Sequence, residues 1–254
     1  MTPCRWDDSP DLARLFCAFR RHRVTKGDRI VDDSSRKTSS KARRGRATEA
    51  SDERIRERAT RTILRAAAEL FAEKGYDGVS MLQIAKASGL PRANVYYYFD
   101  AKEDIYRALI SELIHGWELA LRHFSPESDP KEAFSAYIRA KLDYGRHHPI
   151  QSRLFATEIM GGAKFLTRRD RDYMHALTKE RILVLEQWMD EGRIRRVDAR
   201  HLLMLLWGAT QFLTLSEPVA CDTLETGTLK PADFDAAAEA ISAIVLGGVL
   251  PNSN

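Results

Sequence analysis

Cysteine is scarce in this 254-residue chain, and Cys4, Cys17 and Cys221 show neither metal-ligand spacing nor even pairing. That excludes a disulfide framework and fits a reducing cytosol, the expected location. No stretch approaches the ~18 consecutive apolar residues of a membrane span. Residues 9–24 place Leu12, Leu15, Phe16 and Phe19 on one helical face beside Arg20, Arg21 and Arg23, a pattern able to lie on a membrane or dock on a partner. It lacks the apolar run and small-residue cleavage site of a secretory signal. Signatures of catalysis are also missing: no GxSxG, HExxH, Walker loop or GxGxxG occurs. His147-His148 precedes Pro149 at a helix end, where capping histidines are commoner than metal ligands. The chain therefore reads as a non-enzyme with no cofactor. Strand-like alternation of useful length is absent too, so the expected fold is all-α.

Charge is present in quantity but unevenly placed. The net charge is +4, yet residues 1–50 hold thirteen Lys and Arg against seven Asp and Glu, a surplus of six. Between 36 and 46 stand Arg36, Lys37, Lys41, Arg43, Arg44 and Arg46 with no acid. Such composition cannot bury enough apolar area to order itself, so 1–50 is expected to be a disordered basic arm. It is either an idle solvated leader or a source of extra phosphate contacts.

Residues 63–110 carry the most information. Ile63, Leu64, Ala67, Leu70 and Phe71 share a helical face that ends at Lys74-Gly75. Ser80 and Gln83 have capping-box spacing at the start of a second helix, which stops at Ser88-Gly89. Pro91 suits the first position of a third, running through Arg92 to Tyr98. Two short helices around a glycine turn match helix-turn-helix geometry. Arg92, Ala93 and Asn94 would then face base edges, with Arg92 suited to guanine and Asn94 to adenine. Ser80, Tyr96, Tyr97 and Lys102 are expected on phosphate oxygens, which fix register. The three tyrosines 96–98 cannot all point inward, since successive helical residues turn by about 100°.

The stretch ILRAAAELFAEKGYDGVSMLQIAKASGLPRANVYYYFDAKEDIY resembles the TetR family of bacterial transcriptional repressors. The resemblance implies a helical DNA-binding domain (51–101), a larger helical ligand-binding and dimerisation domain (102–254) and a two-fold dimer. It also puts Ser80, Arg92, Asn94, Tyr96, Tyr97 and Lys102 on positions that usually touch DNA. Tyr98 stands where many members have His.

From Glu103 onward the apolar spacing predicts further helices: one from 105 to 124, one from 134 to 147, and a short one closing at Gly161-Gly162. A long helix follows over 167–191, then one over 199–216 capped by Asp198, and a last one from Asp233 to about Gly247. LLMLLWGATQFLTL is apolar on nearly every side. Ala236, Ala237, Ala240, Ala243 and Gly247 make a small-residue stripe. These last two helices are the expected homodimer interface, four helices about a two-fold axis. An ordinary intrachain core is the alternative.

Trp207 and Gln211 lie one above the other on that apolar helix. A glutamine amide offers a donor and an acceptor edge, complementary to a cyclic imide, and Trp117 and Trp207 could sandwich the ring. Equally, both indoles could be core aromatics and Gln211 could bond a backbone carbonyl. HPIQSRLFATEIMGGAKFL, LLWGATQF and GWELALRHF resemble the pyrimidine-utilisation repressor subfamily, which senses uracil and thymine. That resemblance implies pocket roles for Trp117, Trp207 and Gln211 and release from a palindromic operator by a small planar effector. A same-family sensor of a larger apolar drug or lipid, and a ligand-independent DNA architectural protein, remain the competing readings.

Overall fold

The computed structural model describes residues 39–251, and side chains from residue 53 onward. The amphipathic segment 9–24, Cys4, Cys17 and the side chains of the basic run lie outside the described residues. Ten helices and no strand occur among the described residues. They are α1 (Ser39–Lys74), α2 (Met81–Ser88), α3 (Arg92–Tyr98), α4 (Lys102–Leu121) and α5 (Pro130–His147). After these come α6 (Pro149–Met160), α7 (Arg168–Asp190), α8 (Ala199–Leu215), α9 (Glu217–Thr223) and α10 (Pro231–Val249).

Local chemistry sets most boundaries. Asp129 caps α5, Thr167 caps α7, and Asp198 caps α8 by accepting from the backbone N–H of Arg200 and His201 at 2.9 and 3.0 Å. Three boundaries differ from expectation. Residues 39–50 continue α1 as helix where a disordered arm was expected. Once Ile63, Leu64 and Ala67 nucleate the helix on the core, propagation needs only good helix formers, and Ala, Arg and Lys supply them. Pro149 opens α6 as well as closing α5, with His148 shared between them. The seven-residue α9 follows α8 almost directly, with Pro218 in its first turn.

Two apolar clusters form the interior. One joins α1–α4 to Leu154 and Phe155 of α6 and to Phe165 and Leu166 of the α6–α7 loop. The other packs the end of α4 with α5, α7, α8 and α10 around Phe124, Phe134, Tyr137 and Trp188. α4 belongs to both, and Trp117 and Trp207 sit at the edges of the first and second respectively. This partition does not follow the expected boundary at residue 101.

Candidate DNA-reading surface and effector site

α2 and α3 are held by short-range bonds. The Ser80 hydroxyl accepts from the Gln83 N–H at 3.3 Å and the Ser80 N–H donates to Gln83 Oε1 at 2.8 Å, the reciprocal capping box. Gly89 ends α2 at φ 69°, a left-handed value that favours glycine. Pro91 is the N-cap of α3 rather than its first residue, its carbonyl accepting from Asn94 and Val95 at 2.9 and 3.3 Å. Val95 alone of α3 is buried, while Tyr98 packs partly against the core.

Arg92, Ala93, Asn94, Tyr96 and Tyr97 are exposed together, as the helix-turn-helix reading requires. The Arg92 guanidinium lies 5.3 Å from the Tyr96 ring centre, and Arg56 of α1 lies 5.4 Å from that of Tyr97. Ser80 is exposed as well, with its hydroxyl engaged in the cap. Lys102, expected on phosphate, is engaged within the protein. Its ammonium is turned back to donate to the Tyr76 and Val79 carbonyls at 2.8 and 2.9 Å, 4.3 Å from the Tyr76 ring centre. Those carbonyls end a loop with no helical partners, so the lysine satisfies them and ties the turn before α2 to the start of α4.

The second site centres on the face of α5 carrying Tyr137, Lys141, Tyr144 and Gly145, one and two helical turns apart. At one end the Tyr137 hydroxyl is buried without a well-formed hydrogen bond, beside the Trp207 indole, and burial pushes its pKa far up. At the other end Gly145 admits α8 so closely that an added Cβ would stand 2.3 Å from Thr214 Oγ1. The pairs Tyr137–Trp207 and Gly145–Thr214 occur in the same order, so α5 and α8 run parallel along this face. Lys141 and Gln211, each midway, then lie at the same level of the two helices. The Lys141 ammonium is 3.9 Å from the Trp117 ring centre, and Phe155 meets that indole edge-on at 4.4 Å. Gly116 draws Tyr144 in beside Trp117: a Cβ there would lie 2.3 Å from the Tyr144 ring.

Trp117, Trp207 and Gln211 are thus half-buried around one segment of α5, and the Gln211 amide bonds no other described residue. The backbone-carbonyl partner considered for it is not found. Lys141, Tyr137 and Thr214 escaped the sequence reading. Lys141 does have a signal there: a charge at a core position between Ile138 and Leu142. Burial alone brings its ammonium down to about 7. Among the described residues no cluster of His, Cys, Asp or Glu is placed for a metal.

The effector-site face also reaches the head. Phe155 touches Trp117, and one turn later Glu158 accepts the Phe165 N–H at 2.5 Å. Phe165 packs at 4.2 Å from Tyr76 and 5.0 Å from Tyr106, both part of the head's aromatic cluster. Burial, reinforced by the Glu158 carboxylate, pushes the Tyr106 hydroxyl up to about 12. Arg171 secures the loop by donating to the Ala163 carbonyl.

An all-α protein with an exposed helix-turn-helix and a separate polar cluster inside a helical domain is the architecture of a regulator that reads DNA. Comparison with known proteins makes the class specific. Residues 63–109 match the bacterial regulatory proteins of the tetR family, and 110–252 match the YcdC-like C-terminal region. The HTH-type transcriptional regulator RutR of Escherichia coli K12 is 31% identical over 195 residues, covering 75% of this chain and 90% of that protein. Among solved structures, the ketosteroid regulator KstR2 of Mycobacterium tuberculosis superposes with TM-score 0.59 at 20% identity, covering 76% of this chain and 95% of that one. A tetR-family protein from Rhodococcus RHA1 gives 0.60 at 17%, covering 77% and 98%. The chain belongs to the TetR family and is a DNA-binding transcriptional regulator, not an enzyme. Regulators of this family bind operator DNA and small-molecule effectors and act as dimers. No helix among the described residues is long and apolar enough to cross a membrane.

Proposed function

We propose that this protein is a cytoplasmic repressor that dimerises through α8 and α10, binds a palindromic operator through α3 of each protomer, and is released by a planar heterocycle with an imide edge, such as uracil or thymine. The observation that carries the effector assignment is the unpartnered Gln211 amide beside Trp207. A fully buried amide without a partner costs roughly 1–3 kcal/mol, and the half-buried Gln211 bears part of that cost. A ligand edge with one donor and one acceptor removes that cost, which supports a bound imide over a filled core.

The dimer assignment rests on apolar surface. Met204, Leu205 and Phe212 of α8 are 51%, 59% and 48% exposed, and Ile244 of α10 is 75% exposed. Gly208, Ala240 and Gly247 line the same helices in exposed positions, allowing close backbone approach. A contiguous exposed apolar face of this kind marks an interaction surface, and isologous pairing covers it. Two copies of α3 would then meet successive major grooves, one turn or ~34–36 Å apart.

Release requires that the effector favour one attitude of the heads over another. Two links offer that leverage: α4, from Lys102 to Trp117, and the path Trp117–Phe155–Glu158–Phe165–Tyr76. Couplings of ~1–3 kcal/mol are typical of such regulators. Titration calorimetry with uracil and thymine, with gel shifts on the protein's own promoter, tests the proposal. Expected are binding by the wild-type chain, loss of binding in Trp207→Ala, and weaker operator retention with ligand present. Failure of every pyrimidine to bind, or unchanged gel-shift bands, overturns it.

A further inference from the structure

We propose that Lys141 is the anion-recognising group of the effector site, so that the preferred effector is a planar heterocycle presenting an ionised oxygen. The inference rests on the effector site proposed above and names the charge class of its ligand.

Lys141 is 5% exposed, yet forms no hydrogen bond or ion pair with any described residue. Its one polar contact is the face of Trp117 at 3.9 Å. An indole face compensates only part of the cost of removing an ammonium from water. No carboxylate offsets the rest, since burial is the sole influence on its ionisation. Glu112 of α4, near Tyr144, is itself held up to about 7 by burial, with Arg61 opposing it, and does not act on Lys141. A buried cation without an anion is strongly disfavoured: the lysine either gives up its proton or meets a negative charge brought by a ligand.

The surrounding groups point the same way. By the parallel course of α5 and α8, Gln211 falls at the level of Lys141 with its amide unbonded; on the same face the Thr214 hydroxyl is buried without a hydrogen bond, and the Tyr137 hydroxyl has only the neighbouring Trp207 indole. These groups line one face between α5 and α8, with the ammonium and the amide at its middle and the two hydroxyls about 12 Å apart at its ends. A ring stacked beside the indoles with an ionised oxygen toward Lys141 and an N–H/C=O edge toward Gln211 would satisfy the middle pair. A neutral dione leaves the ammonium short of charge. An anion also gives the lysine reason to leave the Trp117 face, freeing it for stacking.

Barbiturate and uracil separate charge from shape, because both are six-membered cyclic ureides and only barbiturate is ionised at neutral pH. Calorimetry on the full chain should give barbiturate an affinity at least about tenfold above uracil, as expected for a charge-assisted hydrogen bond over a neutral one. Lys141→Met, its fold verified by circular dichroism, should lose that advantage while still binding uracil. Uracil binding as tightly as barbiturate to the wild type overturns the anion assignment and leaves the effector site standing. Equal barbiturate affinity in wild type and Lys141→Met overturns the role of Lys141. If neither ligand binds, the inference and the site reading both fail. If Lys141→Met does not fold, the wild-type comparison still decides.

Discussion

The reading head and the effector domain treat polar side chains in opposite ways. In α2 and α3, Ser80, Gln83, Arg92 and Asn94 point outward or bond within a turn of themselves, and the buried positions are apolar. Between α5 and α8, Lys141 and Thr214 are buried without hydrogen bonds to the protein, and Tyr137 has only the Trp207 indole beside its hydroxyl. The reading helices therefore leave no buried polar group unanswered and act through what they expose. The effector domain carries unsatisfied groups, each costing roughly 1–3 kcal/mol, which only a partner can relieve. Its stability must come from the aromatic packing of Phe124, Phe134, Tyr137 and Trp188 nearby.

Substitutions can break this contrast at either end. The largest effect should follow Leu205→Glu, which buries two carboxylates at the proposed two-fold interface. Light scattering should show monomers, and operator affinity should fall by ~100-fold or more as the second head is lost. Next comes Lys141→Met, read by urea unfolding at pH 6 and pH 9. The folded lysine titrates at about 7, below its ordinary 10.5. The unfolded chain therefore holds the proton more tightly, and this group adds stability as pH climbs from 7 toward 10.5. Methionine removes that dependence, so the variant should gain more at pH 6 than at pH 9, by about 2–3 kcal/mol. A pH-independent difference would show that the lysine already has a partner.

Arg92→Ala tests the outward-facing side. Operator affinity should drop by ~1–3 kcal/mol per half-site, with selectivity relaxed at one base pair and folding unchanged. Gly145→Ala forces a methyl onto Thr214, and overpacking of about 1–3 kcal/mol is partly offset by the better helix propensity of alanine. The net should be a loss of roughly 1 kcal/mol, relieved by Thr214→Ala. Ser80→Ala removes the α2 cap and should cost about 1 kcal/mol, equally with and without effector.

Much of the head was legible because its punctuation is chemical: Ser80 with Gln83, Gly89 after Ser88, and Pro91 before Arg92 leave few alternatives. Asp198 announced α8 in the same way. Helical extent was less legible at α1, where a basic run hid a segment that helix propensity alone can carry. The Lys102 contacts with the Tyr76 and Val79 carbonyls were not legible, because only the fold brings those carbonyls within its reach. At the effector site, Trp207 and Gln211 were visible as a pair at helical spacing. Lys141 was overlooked because periodicity was followed through apolar residues, although a charge on the buried stripe was the stronger hint. That it falls at the level of Gln211 depends on the parallel course of α5 and α8, which spacing within one helix cannot reveal.

Phe165 leaves the larger half of the molecule and packs against both Tyr76 and Tyr106, so the apolar nucleus beneath the reading helices is not wholly their own. A fragment cut at the nominal boundary after residue 101 would forfeit Ile105, Leu109, Phe155 and Phe165 and expose what they cover. Melting should accordingly run as one cooperative event, and the head should resist excision as an autonomous module.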